Sequence, residues 1–272
     1  MQITRTPGRF LFAIPWLVVA VQHFMYAVFV AGIVPAYMPF RIFWVYFTAI
    51  AMIAAAIAIM TGIRARLAAA LLGGMMVLFI LLIHLPILSG DPHAMNWTRA
   101  FQDFAITGVA FIFVGKGNGS ASGAGTTVGN TDRGRWLPGK GGRANWLGVM
   151  GLYCYTVPLL FLGAQHFWQV PYVTGRIPDW MPMKVVWDFL AGAVIVLSAL
   201  AIMLQRRARQ AAGVLGITLA GLALLYHLPE LVAHPFAGMD WTAAMLDSMI
   251  ASGALLLAAA PGGVPGESGV RR

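Results

Sequence analysis

The chain has 272 residues, of which 60% are hydrophobic and only 10% charged, with a mean hydropathy of +0.78, whereas a soluble domain carries about a quarter charged residues. That composition excludes a pair of water-soluble domains and fits a polytopic membrane protein. The net charge of +9 would point to nucleic acid only if it formed a basic reading face, and the single cysteine, Cys154, leaves neither an intramolecular disulfide nor a cysteine-based cluster.

A membrane-crossing helix needs roughly 20 mostly apolar residues. Eight segments meet or nearly meet that need: 10–32, 42–62, 67–88, 99–115, 146–170, 185–204, 211–229 and 242–260. The first follows Arg5 and Arg9 and so looks like a signal peptide. Its apolar run is too long for such a segment and no small-residue cleavage site comes after it, so it reads as a retained helix. Pro15 in the first helix and Pro158 in the fifth are expected to bend them. The fourth segment is short and opens with polar residues. Cys154, in the fifth, reads as a packing residue.

Placing the N-terminus inside puts 14 of the 18 Lys and Arg residues on the inner side. Arg41, Arg99, Arg176 and Lys184 remain outside, while of the acids only Asp132 and Glu267 fall inside. This is the bias expected of cytoplasmic loops, and it puts both termini in the cytoplasm. The tight basic turns at Arg64-Ala-Arg66 and Arg206-Arg207-Ala-Arg209 anchor helices and meet anionic headgroups. Topology thus accounts for the basic charge, and no nucleic-acid partner is expected.

The two halves align at a constant spacing of 143 positions. His23 matches His166, Gln22 matches Gln165, Pro15 matches Pro158, and Pro35 and Pro39 match Pro178 and Pro182. The register continues through Trp44/Trp187, Arg64/Arg207, Gly73/Gly216 and His84/His227. After one inserted residue it takes in Trp97/Trp241 and Asp103/Asp247. Such a register over about seventy positions marks an internal duplication. The expected fold is all-α: a polytopic membrane protein of eight transmembrane helices, arranged as two parallel four-helix repeats over 10–115 and 146–260. Two antiparallel bundles would lie side by side, joined by a Gly/Ser/Thr/Arg-rich flexible cytoplasmic linker over 116–145.

The repeated polar residues gather at one depth. His23 lies roughly 20 Å along the first helix and His84 about 25 Å along the third, at 1.5 Å per residue. Asp103 sits near the outer start of the fourth. One set is then Gln22, His23, His84 and Asp103, and the other Gln165, His166, His227 and Asp247. Asp188 adds an acid where the first half has Val45. Ionisable groups within a span are costly and mark functional sites by default. Such a set can bind a divalent metal, relay protons or hydrogen-bond a quinone carbonyl, and a histidine pair can ligate haem, although no haem motif is present. The alternative is structural: Asp103 caps its helix or pairs with His84 as a packing contact. The hooks Pro35–Pro39 and Pro178–Pro182 and the repeated tryptophans read first as an interfacial belt and second as the walls of a lidded pocket. His93 and His234, outside the register, are expected to be solvated. No phosphate loop, nucleophile elbow or metalloprotease motif occurs.

Gln22-His23-Phe24, the Pro35/Pro39 hook, Trp44, Arg64-Ala-Arg66, His84-Leu-Pro86 and Ser252-Gly253-Ala254-Leu255 together carry a family resemblance. Each half resembles the DoxX-like membrane proteins. These are four-helix bundles related to the DoxD subunit of thiosulfate:quinone oxidoreductase and to methylamine-utilisation protein E. The resemblance covers about 10–115 and 150–260, and two tandem copies depart from the usual single unit. It implies a bacterial inner-membrane location and, as in a few members, a link to quinone or sulfur redox chemistry with a membrane redox partner. The lone cysteine, within a span, speaks against thiol chemistry. The expectation is therefore a redox-associated protein with an outer-leaflet His/Asp pocket for a quinone or similar lipidic ligand. The alternatives are a scaffold or small-solute transporter, or a haem-binding electron carrier.

Overall fold

In lipid, backbone hydrogen bonds must close within each segment, so apolar runs of this length become helices. The structure, a computed structural model, describes residues 6–116, 146–175 and 177–259, and its regular elements there are all helical. In chain order they are α1 (Thr6–Met25), α2 (Ala27–Ile33), α3 (Arg41–Thr61), α4 (Ala65–Phe79), α5 (Leu85–Gly90) and α6 (Ala94–Lys116). Then come α7 (Trp146–Trp168), α8 (Val170–Thr174), α9 (Lys184–Met203), α10 (Ala208–Leu222), α11 (Leu228–Ala233) and α12 (Gly238–Ala258). A π-helical turn joins α4 to α5 (Ile80–His84), and another joins α10 to α11 (Ala223–His227). Residues 117–145, the stretch expected to form the linker, lie outside the described residues.

Among the described residues six helices are long and apolar enough to cross a membrane, counting Ala65–Gly90 and Ala208–Ala233 as one each, and the bent pair α1/α2 makes up to seven. Their outward faces carry large apolar side chains, among them Phe43, Leu71, Leu197 and Ile217. The chain is a multi-pass, membrane-embedded protein. Two of the eight segments read from the sequence differ from simple apolar spans here. Helix α6 is 23 residues long but carries Arg99, Asp103 and Lys116 and is not among the apolar spans. The first segment does not run straight to residue 32: it breaks at Tyr26, and α2 turns from α1 by 99°. Contacts with the start of the last helix accompany the break. The Tyr26 hydroxyl donates to the carbonyl of Phe236 at 2.8 Å, and its ring lies against Gly238, where a Cβ would come within 2.8 Å of it.

Element bounds recur at the spacing seen in the sequence: α3 and α9 begin 143 residues apart, as do α4 and α10, the two π turns, and α5 and α11. Backbone conformations recur too. Phe40 and Met183 precede α3 and α9, and Arg64 and Arg207 precede α4 and α10, all with positive φ between 49° and 55°. Left-handed conformations are uncommon outside glycine, so their recurrence at matched places shows the same tight helix entries in both halves.

The helices do not form two self-contained bundles. Helix α1 packs chiefly on α3 and on α12 of the other half, and α7 packs chiefly on α9 and on α6 of the first half. Helices α6 and α12 also meet each other, so the last helix of each half joins its own half to the first helix of the other. Two glycines make the α6–α7 contact possible. A Cβ at Gly108 would strike the backbone of Cys154 and Tyr155, and one at Gly151 would lie 2.6 Å from the Ile112 nitrogen. Close approach of small residues is how helices associate in lipid, where no hydrophobic drive separates helix from tail. The fully buried Ala105, Ile106, Val109, Ala110 and Ile112 of α6 complete a closed apolar centre.

Candidate functional site

Chain direction sets the polar residues at one end of this assembly. Helices α1 and α7 finish there, α6 and α12 start there, and the basic turns at Arg64 and Arg207 lie at the other end. At the histidine end, each π turn finishes on a histidine, His84 or His227. A π turn inserts one residue into the α-helical register and rotates the next stretch of helix, a device common at functional sites. Here each turned histidine meets an acid of the half's last helix. Nε2 of His84 lies 2.8 Å from Oδ2 of Asp103, and Nε2 of His227 lies 2.8 Å from Oδ2 of Asp247. Asp103 stands in the third turn of α6, which starts at Ala94, so it is not a cap.

The predicted quartets do not assemble whole. His23 does not join the His84–Asp103 pair: its Nδ1 is 2.8 Å from the carbonyl of Val19, one turn back on α1, and α1 packs chiefly on α3 and α12, not on α4. Gln22 and Gln165 act as clasps between the halves. Gln22 Nε2 donates to the Gly238 carbonyl at 2.9 Å, and Gln165 Nε2 donates to the Thr98 hydroxyl at 2.8 Å. Both glutamines are buried, where an amide without partners is costly.

The second half differs. His166 Nδ1 lies 2.5 Å from Oδ1 of Asp188, and the Asp188 side chain is 0% exposed, with Oδ2 lacking a hydrogen-bond partner among the described residues. Gly163 and Gly192 let α7 and α9 close up here: a Cβ on Gly192 would sit 2.6 Å from Cβ of His166 and 2.8 Å from the Gly163 carbonyl oxygen. The first half has Ala20 and Ala49 at those places.

Beside this pair lies a hollow of about 430 Å³ bounded by α6, α7, α8, α9, α10, α11 and α12. His166, His227, Asp247 and Tyr226 all line it, as do Gln165, Thr98 and Gln102. Gln102 Nε2, from the first half, donates to Oδ1 of Asp247 at 3.2 Å. Among the described lining residues Glu230, Asp240 and Asp247 are acidic, and none is Lys or Arg. A second, mostly apolar hollow of about 300 Å³, lined by Ala94, Met95, Gln169 and Pro171, shares Gln169 with the first. Among the described residues no three His, Cys, Asp or Glu side chains gather as a metal site, so the divalent-metal reading gains no ligand set.

Gln102, Tyr226, Glu230 and Asp188 lie outside the sequence-predicted set of site residues, although Asp188 stands out in the sequence as an extra acid. The signal that finds them is departure from the repeat: their counterparts are the apolar Leu246, Ile83, Ile87 and Val45. The predicted belt residues are tied to loops: Trp44 Nε1 donates to the Pro39 carbonyl and Trp241 Nε1 to the Pro235 carbonyl, each at 2.9 Å. Tyr37 of the first hook donates to the Leu82 carbonyl in the π turn. His93 and His234 are exposed. In the second hook Lys184 Nζ lies 2.6 Å from Oδ1 of Asp179 and holds that carboxyl below the usual aspartate range.

No protein-family model matches this chain, and neither a curated protein nor a solved structure does.

Proposed function

We propose that the chain is a DoxX-like, redox-associated protein of the bacterial inner membrane. In this reading it has eight crossings in two parallel repeats, both termini cytoplasmic, and binds the polar head of a quinone or similar lipidic ligand at the outer end of its second half. The observation that carries the reading is the shared hollow of His166 and His227, each with one ring nitrogen engaged by a carboxylate.

An ionised carboxylate accepts the N–H of a neutral imidazole and so fixes its tautomer. Asp188 would keep the proton of His166 on Nδ1, and Asp247 that of His227 on Nε2. The opposite nitrogens, Nε2 of His166 and Nδ1 of His227, are then free to accept a quinol hydroxyl. Once protonated they can donate to a quinone carbonyl. The acidic side chains among the described lining residues disfavour an anionic head such as a lipid phosphate, because like charges repel strongly where water is scarce. The adjoining apolar hollow at Ala94, Met95 and Pro171 offers a hydrocarbon tail a way out. A redox role requires a membrane partner to exchange electrons.

The test is direct. Protein purified in mild detergent is extracted for quinone and titrated with decylubiquinone, alongside His166→Ala plus His227→Ala. Saturable binding that falls at least tenfold in the double variant supports the reading; the absence of bound quinone and of saturable binding overturns it. A Soret band in the purified protein would favour the haem alternative. The transporter alternative is disfavoured because the buried contact of α6 with α7 and α12 closes the centre beneath the hollow. A reporter fused after Arg272 and found on the periplasmic side would overturn the topology.

A further inference from the structure

The hollow has a matching place in the first half, 143 positions earlier in the chain, or 144 for α12. The residues there are larger. Leu159 corresponds to Trp16, Leu222 to Phe79 and Ala243 to Arg99. Trp16 is 1% exposed, edge-on to Phe12 with ring centroids 6.3 Å apart, and its Nε1 has no hydrogen-bond partner among the described residues. A buried indole that leaves its N–H unpaired is present for its volume, since the unmade bond costs about 1–3 kcal/mol. Arg99 aside, the first-half residues are also less polar. Val45, 2% exposed, stands where Asp188 holds His166. On the far side Leu246 replaces Gln102, so Asp103 lacks the amide bond that Asp247 receives.

We infer that the duplication has become unequal: the chain holds one ligand site, in its second half, and the matching place in the first half is filled and serves as packing. The site nevertheless needs both halves, because Thr98 and Gln102 of α6 reach into it. His84–Asp103 is then an internal pin, and His227–Asp247 is the same pin opened to a cavity. Reading the hollow as a place for quinone rests on the proposed function; the inequality of the halves does not depend on that ligand.

The experiment separates the two. Single cysteines are placed at matched positions in a Cys154→Ala background, Leu162→Cys in the hollow and Val19→Cys in its counterpart. Each is exposed in membranes to a charged, water-soluble methanethiosulfonate. The expected result is reaction at position 162 at least tenfold faster than at position 19, with Leu159→Trp abolishing the difference. Equal rates at the two positions overturn the inference. Ile250→Cys against Ile106→Cys repeats the comparison should either first variant fail to fold. In parallel, decylubiquinone should bind at one equivalent per chain, lost in Leu159→Trp and kept in Trp16→Leu; two equivalents overturn the inference. Unequal thiol rates without decylubiquinone binding sink the quinone reading and leave the unequal halves standing.

Discussion

Asp188 holds Nδ1 of His166 at 2.5 Å, while at the matching place in the first half Val45 leaves His23 to bond its own helix at the Val19 carbonyl. The same backbone therefore supports a histidine with or without an acid, and the acid is not needed for the fold. It also carries a penalty, because Oδ2 of Asp188 is buried without a partner among the described residues.

Asp188→Val should accordingly leave the detergent melting temperature unchanged or raise it. The substitution removes an unsatisfied oxygen worth about 1–3 kcal/mol, and His166 can turn to the Leu162 carbonyl as His23 does to Val19. Ligand binding in the hollow should be lost. A melting temperature lowered by more than a few degrees would show that the pair is structural.

The two π-turn pairs should differ in their energetics. His84 and Asp103 are each 15% exposed and rely on one another, whereas Asp247 is 38% exposed and also accepts Gln102. His84→Ala should therefore destabilise more than His227→Ala. A double-mutant cycle on His84 and Asp103 should return a coupling of about 0.6–1.7 kcal/mol, between the average and the maximum for interhelical hydrogen bonds in membranes. Equal losses in the two halves would contradict this.

Close helix approach gives a third expectation. Gly108→Ala pushes a methyl into the α7 backbone and should cost about 1–3 kcal/mol as overpacking. Gly74→Ala, whose Cβ meets nothing within 4 Å, should be neutral or mildly stabilising. Unfolding of the purified protein in graded denaturing detergent ranks the two.

The second hook should loosen in acid and the first should not. The Lys184 ammonium lowers the pKa of Asp179, so their contact is present above the usual aspartate range and is lost as pH falls through the depressed value. The first hook has Ala36 in place of Asp179. The Met38 and Met181 amides each donate to a proline carbonyl at 3.0 Å. Hydrogen-exchange protection of Met181 relative to Met38 should fall at low pH, and a constant ratio would refute the role given to the ion pair.

Much of the site is legible in the sequence because an ionisable residue within an apolar run stands out, and its recurrence at a fixed spacing stands out further. His84 with Asp103, and His227 with Asp247, are marked on that ground. His23 gives the same signal but bonds within its own helix, because depth along a helix does not say which way a side chain faces. The bend at Tyr26 is hidden as well. It is accompanied by a hydrogen bond to Phe236 and a gap at Gly238, both more than 200 positions away.

By itself the sequence determined a helical, membrane-embedded chain and a duplicated register, because hydropathy and spacing are properties of neighbours along the chain. Tertiary structure alone decided that the first helix of each half seats on the last helix of the other, and that the second half contains the polar hollow. Those outcomes depend on which side chains meet across helices, where a single glycine, tryptophan or valine sets whether two backbones touch, a space is filled or an acid finds its histidine.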